Sequence, residues 1–156
     1  MGGKRSIWRI MALVALSVAP AAAQDGLPGP VPATVVRVVD ADTLEVDARI
    51  WVDQWVRVRV RVAGVDAPEI FRPRCQDERL RAERASAFVT ALGPQEVELT
   101  NVRNGSFAGR VVADVRLADG SDLAARLIAA GHGAPYEDRG DWCALAAAGG
   151  HKEPFR

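Results

Sequence analysis

A strict alternation of valine and arginine constrains the fold more than any other part of this sequence. The run reads Val56, Arg57, Val58, Arg59, Val60, Arg61 and Val62. Successive side chains of a β-strand point to opposite faces, so the pattern predicts a strand with one apolar and one polar face. Two carboxylates, Asp66 and Glu69, follow closely after it. The segment is therefore either a half-buried strand entering a turn or the wall and lip of a functional site.

The rest of the chain supplies further strands and two helices. Short β-branched segments predict strands at 35–39, 43–46, 97–100 and 111–117. Apolar spacing predicts a helix from about Asp77 to Leu92, and a second helix capped by Ser121 or Asp122 that runs through Ala130. Five short strands with this helix content predict an α+β fold, a five-stranded Greek-key barrel of the OB type with flanking helices.

The chain begins with the pattern of a secretory signal peptide. Lys4, Arg5 and Arg9 precede an apolar run at 10–19, and alanines end the segment at position 23. The run is shorter than the roughly 20 residues that a membrane-spanning helix needs, so no stable membrane association is expected after cleavage. A buried N-terminal helix is the alternative, which the basic flank disfavours. The pattern predicts a secreted or periplasmic protein.

The remaining chain divides into three parts. The Pro- and Gly-rich segment 24–33 predicts an extended N-terminal arm. Residues 34–137 are expected to form a single domain, because their number suits a single core. Residues 138–156 are expected to form an irregular C-terminal extension. A monomer is the default expectation.

Charge and cysteine content limit the classes of function. The 156 residues carry 20 basic and 20 acidic side chains, and loss of the signal peptide leaves an acidic excess. Binding of nucleic acid by bulk positive charge is therefore excluded, and any contact with phosphate has to be local. The only two cysteines, Cys75 and Cys143, predict a disulfide in an exported protein, which would tether the C-terminal extension.

Carboxylates are expected to gather at one end of the barrel. Asp40 and Asp42 follow the first strand, and Asp66 and Glu69 follow the third. Oxygen ligands of this kind suit a hard cation such as Ca²⁺, although Asp is also a common turn residue. Arg61 is the arginine nearest to these acids, and a cation, a carboxylate and an arginine are the groups that phosphodiester hydrolysis needs.

Three segments carry a family resemblance. VVDADTLEV at 38–46, VRVAGVDAPEI at 60–70 and AGR at 108–110 occur in order. Together they resemble the signature segments of the staphylococcal nuclease-like (thermonuclease) family, over a span from about Val35 to Tyr136. The resemblance implies an OB barrel with helices, in agreement with the elements predicted above.

The resemblance also implies roles for individual residues. Asp42 and Asp66 match carboxylate ligands of Ca²⁺, Ala67 matches a ligand through its backbone carbonyl, and Asp40 matches an outer-shell position. Glu69 matches the general base, and Arg61 and Arg110 match the arginines that bind the scissile phosphate. The sequence departs from the family at Ala41, where Gly is frequent, and at Ala108, where Tyr is usual.

The implied function is an exported, calcium-dependent nuclease acting on DNA, RNA or both with little sequence preference. By the same resemblance, its products carry 3′-phosphate and 5′-hydroxyl ends. The alternative is a non-catalytic OB module that binds single-stranded nucleic acid. Trp51 and Trp55 flank the third strand, where half-buried packing is expected and base stacking is the alternative.

Overall fold

The computed structural model describes residues 26–107 and 109–144. The signal peptide predicted at 1–23, Ala108, and residues 145–156 of the C-terminal extension lie outside the described residues. Within the two described ranges, no helix is long and apolar enough to cross a membrane.

The described chain contains eight strands, two α-helices and one short 3₁₀ helix. The strands are β1 (Gly26–Leu27), β2 (Val31–Asp40), β3 (Thr43–Trp51), β4 (Gln54–Val62), β5 (Val65–Asp66), β6 (Glu96–Asn104), β7 (Arg110–Leu117) and β8 (Ala134–Pro135). The helices are α1 (Gln76–Ala91), α2 (Leu123–Ala129) and the 3₁₀ helix Tyr136–Asp138.

Five of the strands close into a barrel. Their order is β6, β2, β3, β4, β7, and β7 pairs again with β6. The β4–β7 pairing is parallel and the other pairings in the barrel are antiparallel. The predicted class is confirmed, because this is an α+β fold built on a five-stranded OB-type barrel with two flanking helices.

The alternating strand β4 has the two faces that its sequence predicts. Val60 and Val62 are buried in the barrel core, whereas Arg57 and Arg59 are exposed. The register sets Glu45 of β3 opposite Arg59, and Asp47 opposite Arg57. Arg57 donates from Nε and Nη2 to the two oxygens of Asp47 at 2.9 and 2.8 Å. Most of the arginine face is therefore paired surface, and only Arg61 lies at the barrel end.

The tip of the β3–β4 hairpin corrects one expectation. Trp51 is 70% exposed rather than half-buried, whereas Trp55 is 53% exposed, close to the expectation. The register of β2 on β3 ends with Ala33 opposite Ala48, so the hairpin beyond Ala48 is a two-stranded ribbon with no neighbour on the β2 side. The tryptophans lie on this ribbon and leave the core.

Both helices begin at a capping side chain. Asp122 caps α2 through a hydrogen bond from the Ala125 N–H at 2.8 Å. Cys75 caps α1 and accepts from the Glu78 N–H through its sulfur at 3.4 Å. The segment 26–33 is extended, and it pairs with β6 through β1 and the start of β2.

The predicted disulfide is present. Cys75 and Cys143 are bonded across a sequence separation of 68 residues. The bond attaches the segment after the 3₁₀ helix to the start of α1, and Trp142 beside it is buried. Thus the described part of the C-terminal extension is tethered to the main domain.

Candidate active site

The turn between β2 and β3 carries two of the predicted acids. Asp40 ends β2, Ala41 and Asp42 make the turn, and Thr43 begins β3. Ala41 is completely buried and does not have a positive φ, so the turn does not require glycine. The Val62 N–H donates to the Asp42 carbonyl at 2.8 Å and fixes the turn against the end of β4.

Asp42 is buried at the centre of a hydrogen-bond network. Its carboxylate accepts from Thr43 Oγ1 at 3.0 Å and from the Ala67 N–H at 3.1 Å. Burial raises the pKa of Asp42, while the nearby Arg61 guanidinium and these two donors act in the opposite direction. The Asp42 carboxylate thus joins the β2–β3 turn to the segment after β5.

Arg61 lies between two of the carboxylates. Its Nη1 is 2.7 Å from Asp42 Oδ1, and its Nη2 is 3.5 Å from Asp66 Oδ1. The guanidinium compensates charge that would otherwise be buried without a partner. Two acids that are 24 residues apart in sequence therefore share one cation.

Asp40 is not part of this ion pair. Its Oδ1 accepts from the Ala41 N–H at 2.8 Å and lies 3.5 Å from Ser86 Oγ of α1. Burial raises the pKa of Asp40 to about 6 against the effect of the Ala41 N–H, and the negative charges of Asp42 and Glu69 add to the rise.

Glu69 is exposed on the lip, which we define as residues 64–70. The lip begins after β4, and its strand β5 pairs with β8, where Val65 is opposite Pro135 and Asp66 is opposite Ala134. Glu69 Oε1 accepts a hydrogen bond from the Phe71 N–H at 3.0 Å. The other carboxylate oxygen has no protein donor among the described residues, so Glu69 is open to solvent and to a ligand.

Arg110 enters the same region from the loop between β6 and β7. The Gly105 N–H donates to the Arg110 carbonyl at 2.9 Å, and a Cβ on Gly105 would meet that oxygen at 2.7 Å. Gly109 has a φ of 75°, which an L-residue rarely adopts. The guanidinium of Arg110 lies 4.6 Å from the centre of the Phe107 ring. Its buried Nε has no hydrogen-bond partner among the described residues.

Arg61, Glu69 and Arg110 share one open cavity of about 600 Å³, which we call the main cavity. Three separate parts of the chain bring them together: the end of β4, the lip and the start of β7. Four arginines and three carboxylates line the main cavity: Arg57, Arg59, Arg61, Arg110, Asp40, Glu45 and Glu69. Arg57 and Arg61 also pair with acids that do not line this cavity, namely Asp47, Asp42 and Asp66, so the site contains charges of both signs.

A second cavity adjoins the main one. It has a volume of about 380 Å³, and Asp66 and Ala67 are among the residues that line it. Arg61 and Glu69 line both cavities. Arg61 and Glu69 thus lie where the two cavities meet, whereas Arg110 lines the main cavity alone.

The residues fit a calcium ion in part. Asp42 and Asp66 contact the same guanidinium through Nη1 and Nη2, so both carboxylates face one positively charged group. Asp40 is directed to Ala41 and Ser86, and no three carboxylates among the described residues bring oxygens within 4.8 Å of one another. Ala67 contacts Asp42 through its N–H, and ligation through its carbonyl stays a prediction.

One other group of metal-ligating residue types occurs nearby. Cys75, Glu78 and Cys143 lie close together. The two sulfurs are bonded to each other, so neither is a thiolate that could bind a metal. The Glu78 carboxylate instead accepts from the Arg74 N–H and contacts the Arg74 guanidinium. This cluster is a structural tether.

Two aromatic residues of the main cavity were not among the predicted site residues. Phe71 and Phe107 line it, and both rings are exposed. Phe71 comes two residues after Glu69, and Phe107 comes three residues before Arg110, so each phenylalanine lies beside a signature segment. The sequence signal that could have identified them is the presence of an aromatic residue beside each of these two segments.

Comparison of the chain with protein-family models and with curated proteins gives no match. The family resemblance therefore rests on the three sequence segments, and any functional conclusion has to be drawn from the geometry of the main cavity.

Proposed function

We propose that the protein is an exported, calcium-dependent nuclease of the staphylococcal nuclease-like type, which hydrolyses phosphodiester bonds of DNA, RNA or both. One observation carries the proposal: Arg61, Glu69 and Arg110 converge on the main cavity from three separate parts of the chain. Two cations and one exposed carboxylate are the groups that bind a phosphodiester and activate water against it.

We assign Arg61 and Arg110 to binding of the scissile phosphate. Guanidinium groups bind phosphate oxygens through paired donors, and they stabilise the negative charge that develops in the transition state. Arg110 lines the main cavity, where its guanidinium can bind an anion. Arg61 is bound to Asp42 and Asp66, which orients it at the cavity edge.

We assign Glu69 as the general base that activates the attacking water. Its exposed carboxylate accepts a proton as the water oxygen adds to phosphorus, and the P–O5′ bond breaks. The leaving oxygen takes a proton from solvent and becomes the 5′-hydroxyl, while the 3′-side keeps the phosphate. The net reaction consumes one water molecule. These contacts involve the backbone of the substrate, so little sequence preference is expected.

Calcium is assigned to the carboxylate pair. Bound by Asp42 and Asp66 in place of the Arg61 guanidinium, Ca²⁺ would supply positive charge that polarises a phosphoryl oxygen. The exported location is proposed with the function, because a disulfide is stable in an oxidising compartment and the chain begins with a signal-like pattern.

The experiment that tests the assignment compares Arg61→Ala with Arg59→Ala. Both residues belong to the arginine face of β4, but only Arg61 reaches the carboxylates Asp42 and Asp66. In single-stranded DNA cleavage with Ca²⁺, Arg61→Ala is expected to lower kcat on the order of 100- to 1,000-fold. Arg59→Ala is expected to stay near the wild-type rate.

Thermal unfolding of both variants is measured alongside the cleavage rates. This is needed because Arg61→Ala leaves the buried Asp42 without its cation, which could destabilise the fold. Equal loss of rate in the two folded variants would contradict a specific role for Arg61. A wild-type chain that binds strands without cutting them would favour the non-catalytic OB module. Stabilisation by Ca²⁺ without any effect of nucleic acid would favour a calcium-stabilised structural protein.

A further inference from the structure

Two exposed phenyl rings line the main cavity. Phe71 is 69% exposed and Phe107 is 67% exposed. The third phenylalanine of the described residues, Phe88, packs against the core. Burial of a phenyl ring is favourable, so these two rings do not serve the core. Their position at a cavity lined by Arg61 and Arg110 indicates a ligand that carries both negative charge and apolar faces.

Each ring is coupled to a residue that we assign to the reaction. The backbone N–H of Phe71 donates to Glu69 Oε1 at 3.0 Å. The ring of Phe107 lies under the Arg110 guanidinium, 4.6 Å from its centre. The two rings therefore stand beside the proposed water-activating group and the proposed phosphate-binding group.

We propose that Phe71 and Phe107 form a stacking subsite for the unpaired bases that flank the bound phosphate. The ligand is a single-stranded nucleic acid, and the inference rests on the proposed function. The rings offer flat apolar faces on which bases stack, and the arginines complement the backbone charge. Base faces in a duplex already stack on each other, so a single strand is the form that can use this subsite.

The subsite also bears on the departure at Ala108. The resembled family usually has a tyrosine at this position, and this chain has alanine. Phe107 places a ring on the same loop, directly before Ala108. Phe107 has no hydroxyl group, so its ring can stack on a base but cannot donate a hydrogen bond to phosphate.

The experiment measures binding by fluorescence anisotropy in EGTA, so that it does not depend on cleavage. The probes are a labelled single-stranded oligonucleotide and the same strand with abasic residues throughout. Wild type is compared with Phe71→Ala, Phe107→Ala and the double variant. Trp51→Ala is the control, because Trp51 is an equally exposed aromatic residue at the hairpin tip, and it does not line the main cavity.

Each phenylalanine variant is expected to bind the base-bearing strand about 5- to 100-fold more weakly than wild type. The same variants should bind the abasic strand like wild type, and Trp51→Ala should change neither affinity. Phe71→Leu and Phe107→Leu keep apolar volume but lose the flat face. They are expected to behave like the alanine variants, whereas rescue by leucine would show a merely apolar contact and overturn the stacking assignment.

Other outcomes separate this inference from the proposed function. If wild type binds the two strands equally, or binds neither, the stacking subsite is wrong. If wild type cleaves DNA and the phenylalanine variants keep the wild-type KM, the stacking subsite is wrong. The nuclease assignment then still stands. If the rings govern strand binding but the protein never cleaves, the subsite stands and the nuclease assignment is wrong.

Discussion

Glu69→Gln is expected to lower the kcat for cleavage of single-stranded DNA by roughly 100- to 10,000-fold, the range that removal of a general base produces. Glutamine keeps the size of the side chain and can still accept the Phe71 N–H bond at Oε1, but it cannot take up the proton of water. Since the arginines that bind phosphate are untouched, KM is expected to change little. Steady-state rates in Ca²⁺ measure both constants.

Glu45→Gln is the matched control for this substitution. Glu45 lines the same cavity, but its carboxylate pairs with Arg37 and Arg59 on the barrel surface. The same loss of charge at Glu45 is expected to leave kcat within a few-fold of wild type. If Glu69→Gln keeps more than a tenth of the wild-type kcat, or if both variants lose activity equally, Glu69 is not the general base.

Loss of the disulfide is expected to have the largest effect on stability. Replacement of both Cys75 and Cys143 by serine opens a loop spanning 68 residues, which costs about 4 kcal/mol of unfolding free energy in the chain-entropy estimate. Serine at position 75 is a good helix cap, so the substitution keeps the cap of α1 while it removes the cross-link. Urea unfolding followed by tryptophan fluorescence measures the change.

The wild-type protein in dithiothreitol is the control for this variant. Reduced wild type and the double-serine variant should unfold at similar urea concentrations, both well below the oxidised wild type. The double-serine variant should not respond to dithiothreitol. An unfolding midpoint equal to that of the oxidised wild type would show that the bond contributes nothing to the stability of the domain.

The strands could be predicted where a local pattern dictates them. The valine–arginine alternation of β4 survives in the fold, since Val60 and Val62 are buried and Arg57 is exposed. Strand ends were harder, because β2 and β3 extend beyond their β-branched centres through pairs such as Ala33 with Ala48. That extension depends on the neighbouring strand rather than on local propensity.

Barrel closure and the exposure of the hairpin tip depend on tertiary register. The parallel pairing of Arg59 with Arg110 and of Val62 with Ala113 brings the start of β7 to the end of β4 that carries Arg61, and no periodicity indicates this pairing. Trp51 was expected to be half-buried because aromatic residues favour sheets. Its exposure follows from the missing neighbour of the hairpin ribbon, which only the complete strand order reveals.

The sequence predicted which residues belong to the candidate site, but not which of them contact one another. Sequence motifs brought Asp42, Asp66 and Arg61 into one hypothesis, yet the ion pairs among them require the geometry of the turn and the lip. The separate orientation of Asp40 toward Ser86 depends on how α1 packs against β2. Such contacts join residues that are far apart in sequence, so no local pattern encodes them.

The most direct test of the central claim incubates the purified chain with single-stranded DNA and with RNA, in Ca²⁺ and in EGTA, and identifies the ends of the products. We expect cleavage in Ca²⁺ that stops in EGTA, with 3′-phosphate and 5′-hydroxyl ends. Intact strands in Ca²⁺, from a protein whose melting shows that it is folded, would contradict the nuclease assignment of the cavity between Arg61, Glu69 and Arg110.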